Sequence, residues 1–364
     1  MKKTKVAVLT IVPILMTCCK PMPDNVIVFK DSIKYIDSFP QAYTLENPED
    51  VSLDIIGALD FTILDSIAVF NTMEKRSAWK ILSLEDMHIL GEILDIGNGP
   101  EEFLSIPWPS QCEFFNGPDG DQMCYVMDMS KRRLGKVNIT ESIEESSLNL
   151  EIIAEDLPEP CFRISYIDST GIFYKTISSD MTSQPRYLLR DGESIVPGKL
   201  DELNAAHVYP GKNYNLMSSF VNYVRSRDLI VEVPVALTDI NLYSPDGQNS
   251  MSLCLRDRPS DIDALQQLSP ADIPHTFSAL RTYGDYFAVL YIGETAMTYE
   301  TGRKNLPHVY VFDYEGNPKA DIALDKQVTS FDFDMEHGFL YAFDLITEQM
   351  YRYELPGNFI LESM

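Results

Sequence analysis

After residue 16 the sequence contains no apolar run approaching the roughly 20 residues that cross a bilayer as a helix, so nothing beyond the N-terminus is expected to enter a membrane. Basic residues are scarce: 29 Lys and Arg stand against 55 Asp and Glu, a net charge of −26. With no basic cluster to neutralise phosphates, nucleic acids and anionic lipid surfaces are excluded as direct partners. Catalytic signatures are missing too. There is no G-x-S-x-G elbow, and none of His88, His207, His275, His308 and His337 belongs to an H-E-x-x-H or other paired-ligand arrangement. Gly97-Asn98-Gly99-Pro100 lacks the lysine and hydroxyl of a phosphate loop and reads as a tight turn. The acids Asp119 and Asp121, and Asp332, Asp334 and Glu336, do not fit a calcium loop. Because Asp332 and Asp334 alternate with Phe331 and Phe333, they are placed on the solvent side of a strand. No catalytic residue, metal site or cofactor is therefore assigned, calcium being the one cation such an acidic chain would attract outside the cytoplasm.

What is present begins with a leader. Lys2, Lys3 and Lys5 precede an apolar stretch from Val6 to Met16, the layout of a secretory signal over residues 1–17. Cys18 follows Thr17 and resembles the lipidated cysteine of bacterial lipoproteins, with Cys19 as the alternative. Residues 18–24 would then be a tether, holding an exported domain of residues 25–364 to the cell envelope through its lipid anchor alone. Of the other cysteines, Cys112 and Cys124 flank the turn-rich stretch from Asn116 to Asp121, which sets them on neighbouring strands of a hairpin. A disulfide between them is one option, and buried free thiols are the other.

Helical periodicity is nearly absent. Short β-branched and aromatic runs alternate with turn clusters, the pattern of an all-β chain. A polar turn followed at once by an apolar strand recurs at Ser66, Gln122, Thr170, Asp228, Asp285 and Gly338, at intervals of 48 to 58 residues. Six such units of about four strands predict a six-bladed β-propeller. The sixth unit shows only three strands, so an N-terminal strand, Asn25 to Phe29 or Ser32 to Ile36, is expected to complete it and close the ring. The fifth unit carries the long excursion from Gly293 to Asn305, whose Glu294, Thr298, Tyr299, Arg303 and Lys304 form a candidate ligand-facing loop.

The stretch HVYVFDYEGNPKADIALDKQVTSFDFDMEHGFLYAFDLITEQMYRYEL, residues 308–355, resembles the last two blades of the TolB-like six-bladed propeller lipoproteins of Bacteroidetes, and GEILDIGNGPEEF, residues 91–103, resembles the link between their first two blades. The resemblance implies fold, export and bacterial origin, and it brings no catalytic residues. The expected function is a non-enzymatic binding module for an envelope protein or extracellular ligand. The competing expectation is a metal-assisted, lactonase-like hydrolase at the central channel. A convergence of carboxylates from several blades on the axis would separate the two.

Overall fold

The structure is a computed structural model describing residues 21–357 and Phe359. The leader and both lipidation candidates, Cys18 and Cys19, lie outside the described residues. No helix among the described residues is long and apolar enough to cross a membrane.

Six sheets, each built on four antiparallel strands and two of them carrying a fifth, parallel strand, make up the ring, so the all-β propeller of six blades is observed. Their innermost strands are Ala58–Leu64, Glu113–Asn116, Cys161–Asp168, Ser219–Val224, Pro274–Thr282 and Ser330–Asp334, for blades 1 to 6. Each recurrent turn joins this innermost strand to the second strand of its blade, which puts all six turns at the same end of the ring. Left-handed backbone makes the reversal in four of them: Asp65 and Asp228 adopt φ of 48° and 47°, and Gly120 and Gly338 adopt 89° and 75°.

Six apolar cores occupy the six interfaces between neighbouring blades. The interface that closes the ring packs Phe61 and Phe70 of blade 1 against Tyr341 and Phe343 of blade 6. Sheet-on-sheet burial therefore holds the seam as it holds the other five joints.

An N-terminal strand completes the last blade, but a different one from those expected. Glu49–Val51 pairs antiparallel with Gln349–Glu354. Ile33–Tyr35 instead pairs parallel with the outer strand Ser250–Cys254 of blade 4, and Gln41–Leu45 pairs parallel with the outer strand Pro318–Leu324 of blade 5. Asn25 to Phe29 forms no strand: Ile27 and Phe29 are buried in the core between blades 3 and 4, where Phe29 N donates to the Ser252 hydroxyl at 2.8 Å and that hydroxyl donates in turn to Asn241 Oδ1 at 2.6 Å. The physical reason is that the outer edges of blades 4 and 5 offered unpaired backbone groups that the apolar N-terminal segments satisfy on the way to blade 6. The segment is a strap across three blades, and closure is its last act.

Candidate functional site

The end of the ring that carries the six turns opens into a cavity of about 750 Å³, lined by residues from every blade. It does not run through the ring. The short 3-10 turn Pro109–Gln111, just ahead of blade 2, reaches the inner strands of blades 1, 4 and 5 and forms a floor. Three contacts fix that floor: Trp79 Nε1 donates to Pro107 O at 2.9 Å, Ser110 N donates to Asp60 Oδ2 at 2.9 Å, and Arg163 donates to the Gln111 side-chain oxygen.

On one wall, Arg281 of blade 5 lies between two carboxylates. Its Nε donates to Asp332 Oδ2 at 3.2 Å, its Nη2 donates to Phe61 O at 2.7 Å, and Asp60 Oδ1 is 4.0 Å away. Asp332 also accepts from Thr62 Oγ1 at 2.9 Å, Ile63 N at 2.9 Å and Tyr283 Oη at 2.7 Å. Burial pushes the Asp60 carboxyl above its ordinary range, against the pull of Arg281. Asp332 and Asp334 are buried, which corrects their expected placement on the solvent side. Both faces of an innermost propeller strand are covered, one by the next blade and one by the floored channel, so period-two alternation there does not separate core from solvent.

On the opposite wall, Arg225 of blade 4 holds Glu113 of blade 2 with both ends of its fork, Nε to Oε1 at 2.8 Å and Nη2 to Oε2 at 3.0 Å. The same guanidinium donates to Tyr166 O and Ile167 O of blade 3, each at 2.7 Å, and lies over the rings of Tyr125, Tyr166 and Tyr223. One arginine thus joins three blades. Burial raises the Glu113 carboxyl, with Arg225 opposing. The Tyr223 hydroxyl is raised by burial and by Asp228, to which it donates at 2.9 Å.

Six carboxylates line the mouth against two guanidiniums, together with the rings of Phe114, Phe115, Tyr223, Tyr283, Tyr286 and Phe333. The carboxylates that meet nearest the floor, Asp60 and Asp332, close on Arg281. Among the described residues no group of three or more His, Cys, Asp or Glu side chains is placed to hold a metal ion.

The fifth-blade excursion lies at the other end of the ring, because it joins the second strand of its blade to the third. Its candidate residues are largely engaged by the protein itself. Glu294 is buried and accepts from the backbone amides of Lys304 and Asn305. Thr298 N donates at 3.3 Å to Thr295 Oγ1, which caps the helix Ala296–Thr301, and the two hydroxyls also bond at 2.9 Å. Tyr299 stacks on His275 with ring centres 3.7 Å apart, and Arg303 pairs with Asp344 of blade 6 at 2.8 Å. Glu294, Thr298 and Lys304 do border a smaller cavity of about 350 Å³, which Tyr299 and Arg303 do not line. Cys112 and Cys124 are both free thiols. The hairpin sets Cys124 opposite Phe114 and leaves Cys112 before the strand begins, offset from it rather than directly across.

Sequence reasoning did not single out Arg225, Glu113, Arg281 or Asp60. A signal was there for two of them: Arg281 and Arg225 sit just ahead of the turns at Gly284-Asp285 and Arg227-Asp228, and whatever immediately precedes such a turn ends an innermost strand at the mouth.

No curated protein matches the chain. Among solved structures, similarity extends to an exported-protein candidate of Bacteroides fragilis, at 9% identity and a TM-score of 0.49 over 88% of this chain and 98% of that one. A member of the DUF4221 family from Bacteroides vulgatus is 11% identical, with a TM-score of 0.49 over 85% and 94% of the two chains. Raptor from Chaetomium thermophilum is 10% identical, with a TM-score of 0.46 over 87% of this chain and 29% of that one. The family model described as TolB-like 6-blade propeller-like matches residues 59–336, and with its six sheets in a ring the chain belongs to that family.

Proposed function

We propose that the protein is a non-enzymatic binding module of the bacterial cell envelope, exported, lipid-anchored at Cys18 or Cys19, and recognising a cation-bearing segment of an envelope partner protein at the mouth of the ring. The observation that carries this reading is the mouth itself: a floored cavity of about 750 Å³ whose wall combines six carboxylates, two guanidiniums and six aromatic rings. Surplus negative charge attracts a cation into a recess of lowered dielectric, and aromatic faces hold its apolar stem and its charged head. A hydrolase at the same place would need carboxylates free to bind a metal or activate water. Asp60 and Asp332 are instead turned onto Arg281, and Glu113 onto Arg225.

The test is calorimetric titration of the full chain in detergent with tetralysine and with tetraglutamate. Tetralysine should bind with an affinity that falls as salt rises, and tetraglutamate should not bind. The paired rim substitutions Asp285→Lys and Glu336→Lys should weaken tetralysine at least tenfold. Equal binding of the two peptides, or indifference to the rim reversal, would refute the reading. The anchor is checked before detergent is added: the chain should sediment with the membranes of the expressing cells, and Cys18→Ser or Cys19→Ser should release it.

A further inference from the structure

At the end of the ring opposite the mouth lies a cavity of about 450 Å³ between blades 2, 3 and 4, bordered by Met129, Phe162, Ile177, Tyr214, Arg163 and Ser218 among others. Its size suits a small molecule rather than a chain segment. Arg163 gives it a chemical character. The Arg163 Nε donates to Ser219 O at 2.7 Å and its Nη1 to the Gln111 side chain, and no carboxylate among the described residues lies within ion-pair distance of it. Arg163 is half-buried, and a cation drawn partly out of water without a counter-charge carries a cost that neutral acceptors only partly offset. Burial accordingly lowers the Arg163 pKa to about 10.

The groups behind this wall deepen the imbalance. Between blades 3 and 4, Glu232 is fully buried and accepts from Lys175 Nζ at 2.7 Å, from Arg186 Nη2 at 2.6 Å, from Ser219 Oγ at 2.7 Å and from Tyr243 Oη at 2.7 Å. Its one negative charge is already paired with two buried cations, and it reaches Arg163 only at longer range, where it opposes the effect of burial without forming an ion pair. At the rim, Arg132 also borders the cavity but is taken by Asp156 at 2.9 Å and by Glu159 at 3.7 Å. Glu159 lines the cavity too, but it is turned onto Arg132, which leaves Arg163 as the cation of the inner wall with no carboxylate at ion-pair distance, in a chain of net charge −26. The Ser218 hydroxyl accepts from Gln184 Nε2 at 3.2 Å and keeps its own hydrogen free to donate. Met129, Phe162, Ile177 and Tyr214 supply apolar cover beside these two donors.

We infer that this cavity is a second binding site, independent of the mouth, for a small apolar monocarboxylate, whose carboxylate is taken by Arg163 and the Ser218 hydroxyl and whose hydrocarbon part lies against Phe162, Ile177 and Tyr214. A charge-assisted bond from a guanidinium to a carboxylate is among the stronger polar contacts, and it is strengthened here by the second donor and the shielded wall. A neutral ligand of the same shape would leave Arg163 as it is.

The probe is phenylacetate, titrated into the full chain by calorimetry beside its neutral counterpart phenylacetamide. Phenylacetate should bind at least tenfold more tightly than the amide. Arg163→Gln should abolish that preference, bringing the two ligands within about threefold of each other. Because Arg163 also braces the floor of the mouth, a second variant stands clear of its bonds: Ile177→Trp, which fills the cavity, should remove binding of both ligands while the unfolding temperature and tetralysine binding at the mouth stay as in the parent. Absence of phenylacetate binding, equal affinity for acid and amide, or full binding by folded Arg163→Gln or Ile177→Trp would each overturn the inference.

Discussion

At the axis one guanidinium, Arg281, faces two carboxylates, Asp60 and Asp332; between blades 3 and 4 one carboxylate, Glu232, faces two paired cations, Lys175 and Arg186, with Arg163 unpaired beside them. Both clusters are buried, and they are unbalanced in opposite senses. The axial surplus is negative and borders the mouth that we propose receives cations. The inter-blade surplus is positive and borders the cavity assigned to a carboxylate. Each also has an internal outlet for its surplus, since burial raises the Asp60 carboxyl towards its neutral form and lowers the Lys175 ammonium to about 7. The difference teaches that the same ring can bury charge imbalances of opposite sign, each beside a cavity, and on the two proposals above each sign sets what the neighbouring cavity would accept.

The comparison breaks first at Glu232. It is the sole anion of its cluster, and burial is outweighed by Arg186 and Lys175, which hold its carboxyl well below the usual range. Glu232→Gln leaves two buried cations without a counter-charge and is expected to cost about 3–5 kcal/mol, read from urea unfolding at pH 7. The axial counterpart, Arg281→Met, should cost less, about 1–3 kcal/mol. Asp332 keeps Thr62, Tyr283 and the Ile63 amide as donors, whereas Glu232 has only two hydroxyls besides its cations. If Arg281→Met proves the more damaging of the two, the axial cluster is held chiefly by its ion pair and the contrast drawn here fails.

Much of this fold was legible in the sequence. The recurring turns gave the blade count because tight reversals favour Asp, Asn or Gly at fixed places, four of the six through a left-handed residue, whatever the neighbouring side chains do. Closure by an N-terminal strand was also legible, since the sixth unit lacks its fourth strand. Which strand closes was not: Ser32 to Ile36 and Glu49 to Val51 are both short, and only the free edges of blades 4 and 5 decide their order. The sites were hardly legible at all. Arg225, Glu113, Arg281 and Asp60 are brought together from blades separated by 50 to 220 residues in hydrogen-bonded pairs, and spacing along the chain says nothing of such a meeting. The fifth-blade excursion drew attention by its length, yet its acid, its tyrosine and its arginine serve to pin it to blades 5 and 6.

The finest test of the contrast is Asp60→Asn. The Asp60 carboxyl is raised in the folded protein, so the native state holds its proton more tightly than the unfolded chain, and the charged form costs stability as pH climbs above the ordinary value of 3.8. The amide keeps an oxygen to accept from Ser110 N and drops the charge. Its stability at pH 7 should lie within about 1 kcal/mol of the parent, against the far larger loss for Glu232→Gln. The acid limbs should also run in opposite directions. Because the Glu232 carboxyl is lowered, its contribution is fully present above 4.5 and is lost as pH falls below that. Asp60 gains rather than loses as it protonates, so as pH is lowered the parent should improve relative to Asp60→Asn and lose part of its advantage over Glu232→Gln. Unfolding curves for the two variants and the parent between pH 3 and pH 7 would show this. A large loss for Asp60→Asn at pH 7 would mean that its negative charge, and not only its hydrogen bond, is needed to hold Arg281 and the floor of the mouth.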